Sequence, residues 1–141
     1  MFKKKFNKEN EKKIDNKKIL IAALMVHAAK IDDNYTSLEK EIIKKALKNL
    51  FVIESNEIEE LLKEAEKKEQ ESSQIIEFTR EIKKNSMEFR LKIIEILWKI
   101  VYSDDTNDSY ESNLIRRVCG LLYVSDRKSG MIKLKVKNLM K

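Results

Sequence analysis

The residues of this chain that could do chemistry are acidic, and they come in two copies. Asp32-Asp33-Asn34-Tyr35-Thr36-Ser37-Leu38-Glu39 returns 72 residues later as Asp104-Asp105-Thr106-Asn107-Asp108-Ser109-Tyr110-Glu111. Side chains of this kind suit a hard divalent cation, because Ca²⁺ and Mg²⁺ collect carboxylate, carbonyl, hydroxyl and water oxygens. Loop positions one, three and five carry Asp32, Asn34 and Thr36 in the first copy, then Asp104, Thr106 and Asp108 in the second. An EF-hand begins in the same way, but the rest departs from one. Ser37 and Ser109 stand at the turn glycine, and Ile43 and Ile115 stand where a bidentate Glu would close the shell. Glu39 and Glu111, at position eight, are the acids left to close it. Sites built this way would be short, water-rich and weak. The second is better supplied, since Asp108 brings a charge where Thr36 brings a hydroxyl.

A structural reading competes with the metal. Thr36 with Glu39, and Asp108 with Glu111, have the spacing of a capping box at a helix start. Acids there also sit favourably at the positive end of the helix dipole. Capping gives no role to Asp32, Asp33, Asp104 and Asp105, consecutive carboxylates that repel each other upstream of an already capped helix. On the sequence alone both readings stay open.

The flanks of the two loops repeat as well. Leu24-Met25-Val26 answers Ile96-Leu97-Trp98, Ile43-Lys44-Lys45-Ala46 answers Ile115-Arg116-Arg117-Val118, and Leu50-Phe51-Val52 answers Leu122-Tyr123-Val124. A helix, an acidic loop and a second helix have been used twice. With no Pro, two Gly and abundant Lys, Glu, Leu and Ile, the chain reads as all-helical. Its 141 residues make one domain with a substantial core.

Residues 1–14 read as a flexible basic tail and 15–141 as the folded domain. Phe2 and Phe6 among lysines would also suit an anionic membrane surface. A first helix is expected from about Asp15 to Lys30, capped by Asp15 or Asn16. Ile19 to Ala29 is apolar nearly all round, as in a central helix. His27 within it reads as a hydrogen-bonded core residue more readily than as a ligand. A second helix follows over Ser37 to Phe51. A third starts at a Ser55 cap, with Ile58, Leu61, Leu62 and Ala65 inward and Glu59–Lys63 and Glu64–Lys68 pairs outward. Ser72-Ser73 interrupts it before a shorter helix around Ile75 to Ile82. Asn85-Ser86 caps a fifth helix, and Ser109 to Tyr123 forms a sixth. A last helical segment starts at Ser125-Asp126 and is interrupted at Ser129-Gly130.

The ordered set of residues resembles the TerB-like family, the tellurite-resistance-B helical domain of bacteria. Ala22-Ala23-Leu24-Met25-Val26, Asp32 to Glu39, Phe78-Thr79-Arg80, Leu97-Trp98, Asp104 to Glu111 and Leu114-Ile115-Arg116-Arg117 carry the resemblance, across roughly residues 18–128. It implies an all-α, single-domain bundle of about seven helices with internal repeat character. It also implies a negatively charged surface proposed to bind divalent cations, here at Asp32, Glu39, Asp104, Asp108 and Glu111. A non-enzymatic role is implied, in tellurite resistance and wider stress response, with protein partners in a membrane-associated complex. The chain departs from the family pattern at the loops. Asp33 and Asp105 replace a glycine, Thr36 replaces an Asp, and Asn107 replaces an apolar residue.

Other function classes find little support. One His, one Cys and no Gly-rich phosphate loop offer no nucleophile with an obvious base. A single Cys excludes an intramolecular disulfide, and Cys119 lies among apolar residues as a core thiol would. The net charge of +6 is gathered at the ends, +5 in residues 1–18 and +5 in 126–141, leaving −4 between them. Nucleic-acid binding is therefore not expected, since an acidic body with basic ends is not a DNA-binding face. The longest apolar run is about half of the ~20 residues a membrane span needs. The expected location is cytoplasmic, peripheral to the inner membrane.

Overall fold

A computed structural model describes residues 2–31, 35–72, 74–103 and 109–140, with side chains described from residue 16 and, after the second loop, from residue 112. Seven helices follow one another: α1 Phe2–Lys30, α2 Ser37–Phe51, α3 Ser55–Glu71, α4 Ile75–Lys83, α5 Met87–Tyr102, α6 Ser109–Leu122 and α7 Asp126–Leu139. Among the described residues there is no strand. The all-α bundle expected from the sequence is what the chain forms.

The core is organised around α1. Every residue from Leu20 to Val26 is buried, and so are Ala28 and Ala29. This helix packs against α2, α3, α4 and α5, so its apolar surface is covered on nearly all sides. Helix α5 is the second axis, with Ile93, Ile94, Ile96, Leu97, Trp98, Ile100 and Val101 buried among α1, α2, α6 and α7. Phe78 and Ile82 of α4 are fully enclosed, and α4 lies against both α1 and α6. No described helix is long and apolar enough to cross a membrane.

The repeat is larger than the sequence suggested. Helices α1 and α5 end 72 residues apart, at Lys30 and Tyr102, and α2 and α6 start 72 apart, at Ser37 and Ser109. The next helix starts, Ser55 and Asp126, are one residue out of step with that register. The third helix of each half then packs back on the first, α3 on α1 and α7 on α5. Each repeat is a three-helix unit, and α4 links them.

Several boundaries differ from expectation. Helix α1 runs back to Phe2, so Asp15 and Asn16 lie inside it and do not cap it. Nothing in the preceding Lys-, Glu- and Asn-rich stretch breaks a helix. Helix α3 has Glu54 at its N-cap with no side-chain cap bond, so Ser55 is its first residue. Helix α7 passes through Ser129-Gly130 without a break. A Cβ on Gly130 would meet nothing within 4 Å, and Ser129 is buried against α5. The caps at Ser86 and Ser125 form as read, accepting from Phe89 N at 3.2 Å and Lys128 N at 3.2 Å. The pairs along α3 are replaced by contacts between helices. Glu59 meets Lys44 of α2 at 2.7 Å, and Lys68 meets Glu77 of α4 at 3.0 Å.

Candidate functional site

Of the five acids that the sequence nominates as cation ligands, Glu39 is the one whose side chain is described. Asp32, Asp104 and Asp108 lie outside the described residues, as does the side chain of Glu111 on α6. The site can be built from its first half, where the described residues around the Asp32 loop come from three elements: the C-terminal end of α1, the start of α2 and the C-terminal half of α3.

Glu39 has a structural task. The Thr36 backbone N–H donates to Glu39 Oε1 at 2.9 Å, and the Thr36 hydroxyl donates to the same oxygen at 3.1 Å. In return, Thr36 Oγ1 accepts from Glu39 N at 3.1 Å. This is a complete capping box. The Glu39 side chain is enclosed, the residue being 2% exposed.

Behind it lies a charged cluster. Tyr35, the first described residue after the loop aspartates, donates its phenol to Glu66 Oε2 at 2.7 Å. Lys40 approaches the same oxygen at 3.6 Å and lies 4.9 Å from the Tyr35 ring centroid. One turn along α3, Glu69 is buried. Lys30 Nζ stands 3.1 Å from its Oε2, and His27 Nδ1 stands 3.8 Å from its Oε1. The lysine is close but off the direction of a hydrogen bond. Burial, then Glu66 and the charges of Glu39 and Glu69, push the Tyr35 phenol well above its ordinary range. Tyr35 is therefore a neutral donor. His27 titrates below its ordinary 6.5 because burial opposes its charge, aided by Arg117 and Lys30, while Glu69 partly opposes the shift.

Sequence reasoning missed Glu66 and Glu69. A signal was present: Ile58, Leu61, Leu62 and Ala65 make an inward stripe on α3, and Glu69 continues it at the next turn. A carboxylate at an inward step announces a buried partner, here supplied by α1. His27 is held by Glu69 and lies tilted on the Phe78 ring, with centroids 6.2 Å apart. That agrees with a core role.

Chemically the cluster holds and orients. Cys119, 1% exposed, has its thiol pushed up by burial, with the Ser129 hydrogen bond acting the other way. A thiolate nucleophile is disfavoured there. Among the described residues no three His, Cys, Asp or Glu side chains converge where a metal ion could sit. The described part of the site thus gives the first loop a rigid base: a capped α2 and an α1–α3 clamp.

With this geometry, the family becomes decisive. A family model described as Tellurite resistance protein TerB matches residues 18–134. The chain belongs to the TerB family. The matched stretch takes in both acidic loops and all or part of every helix. No curated protein and no solved structure matches the chain.

Proposed function

We propose that this TerB-family chain is a non-enzymatic stress-response module of the tellurite-resistance type, which binds a divalent cation weakly at its two acidic loops and docks protein partners. Its place is cytoplasmic, in a complex at the membrane. The observation that carries the cation is the completed cap at Thr36 and Glu39. The capping box needs only Thr36 and Glu39, and a cation would give the adjacent carboxylates Asp32 and Asp33, repeated as Asp104-Asp105, a role that capping does not. Ca²⁺ or Mg²⁺ is the ion such oxygens take. Asp32 would serve the first site, beside a Glu39 whose Oε1 belongs to the cap, and Asp104, Asp108 and Glu111 would serve the second. The sequence, with one His, one Cys and no Gly-rich phosphate loop, is what favours a binding role over a catalytic one.

The test is a titration with CaCl₂ and MgCl₂ followed by amide NMR. Saturable shifts over residues 104–111 in the millimolar range, with smaller ones over 32–39, are expected. The same capping box favours a second reading, in which the acids serve as helix caps and the chain is purely a protein-interaction bundle. Resonances of both loops that stay in place at millimolar cation would establish that reading and remove the metal.

A further inference from the structure

A groove of about 590 Å³ lies between α2 and α5, away from the acidic clamp. Its apolar surface is Ile42, Ala46 and Leu50 on one wall and Phe89 and Ile96 on the other, with Met140 beyond the end of α7. Each wall is a strip at helical spacing. From Ile42 to Leu50 and from Phe89 to Lys99 the walls extend for roughly 12 and 15 Å at the rise of an α-helix. That length suits a helix of about ten residues laid between two others.

The rim has a charge. Lys45, Lys92 and Lys99 line it and form no ion pair among the described residues. Of the two acids on the rim, Glu95 is held by Lys135 at 3.1 Å, which leaves Glu88 alone against three lysines. The rest of the molecule between its basic ends is net acidic, so this is a local reversal of sign around an apolar floor. The chain's own lysine-rich stretch 2–18 would be repelled by such a rim.

We propose that the α2–α5 groove is the docking site for an acidic amphipathic helix of a protein partner, whose apolar stripe fills the floor while its carboxylates meet Lys45, Lys92 and Lys99. This is helix-in-groove recognition, with the lysines setting orientation and encounter rate. It deepens the docking part of the proposed function and rests on that reading; it is independent of the cation loops.

The probe is a labelled synthetic peptide with Leu at i, i+3, i+4 and i+7 and Glu at the flanking positions, measured by anisotropy and by amide NMR on the full chain. Saturable binding is expected, with shifts confined to residues 42–50, 86–99 and 140. The exposed Lys45→Glu/Lys92→Glu pair weakens it by about tenfold or more, the equivalent of about 1.4 kcal/mol. The same peptide with Lys in place of Glu binds at least about tenfold more weakly for the same reason. Binding that ignores both charge changes, shifts that map elsewhere, or groove shifts produced by self-association or by phosphatidylglycerol vesicles but not by the peptide would each overturn the proposal. Photo-crosslinkers placed at Lys45 and, on α6, at Arg116 separate the two levels of failure in cells. Partner adducts from Arg116 alone would sink the groove and keep docking; adducts from neither position, with no peptide binding, would sink both.

Discussion

The two halves of the molecule close the same helix–helix interface with different buried contacts. In the first, α1 meets α3 through charge: His27 and Lys30 face the buried Glu69. In the second, the buried contact of α5 with α7 is a neutral bond, Trp98 Nε1 donating to Ser129 Oγ at 3.1 Å, and the charged pair Glu95–Lys135 lies toward solvent. Tyr102 stacks on that indole with centroids 6.0 Å apart, and Lys133 sits 5.1 Å from its centroid. By the 72-residue register, Lys99 and Tyr102 occupy the places of His27 and Lys30. The backbone plan tolerates either solution. What differs is the response to conditions: an ion pair senses pH and charge, while a packed indole senses volume.

The largest effect is expected in the neutral half. Trp98→Ala should lower unfolding free energy by about 3–5 kcal/mol, read by urea denaturation. A loss below about 1 kcal/mol would mean that α7 is not held through this residue. In the charged half, Glu69→Ala should cost about 2 kcal/mol, less than the usual loss for a broken buried pair because Lys30 is one-third exposed and can turn to water. Glu69→Leu should come within about 1 kcal/mol of the parent, since an apolar replacement removes the desolvation along with the charge. Equal losses for Ala and Leu would contradict that account.

Acid should distinguish the halves next. His27 titrates below 6.5 in the folded chain, so between that depressed value and 6.5 the unfolded state binds more protons. Stability contributed by neutral His27 is therefore present above 6.5 and lost as pH falls through the folded-state value. His27→Leu should flatten this part of the stability–pH curve, whereas Trp98→Phe should leave its slope unchanged. A slope that survives His27→Leu assigns the acid response elsewhere.

The smallest effect concerns the helix ends. Helices α2 and α6 both stop at a left-handed residue, Val52 at φ 50 and Tyr123 at φ 57. A β-branched residue is poorly suited to that conformation, at a cost of roughly 1–2 kcal/mol. Val52 is 88% exposed, so Val52→Gly should stabilise the chain by about 1 kcal/mol in thermal unfolding. Tyr123→Gly should gain less, because Lys83 lies 4.8 Å from its ring centroid and that contact is worth about 0.5–1 kcal/mol at an exposed site. Equal shifts would show that the lysine contributes nothing.

These comparisons also show why parts of the molecule were legible in the sequence and others were not. Inward stripes such as Ile93, Ile94, Leu97, Ile100 and Val101 located the helices because local spacing alone fixes which face is buried. Thr36 and Glu39 were legible for the same reason, as partners three residues apart. The inward place of Glu69 was legible in the stripe of α3, but its partners were not, since they lie on α1 some forty residues away in the chain and no local pattern encodes them. Ser129-Gly130 read as a break because both residues have poor helix propensity, yet the Trp98 bond to Ser129 carries α7 through them. The left-handed stop at Val52 has no Gly or Asn to announce it.

The buried thiol of Cys119 has a consequence for redox chemistry. It is the chain's single cysteine, sealed between α6 and α7 and kept protonated by its surroundings. Thiol-directed oxidants react with an accessible thiolate, and this fold presents none. Among the described residues the exposed methionines are Met131 and Met140, whose sulfoxides are formed reversibly. Damage of that kind can be repaired without unfolding the bundle.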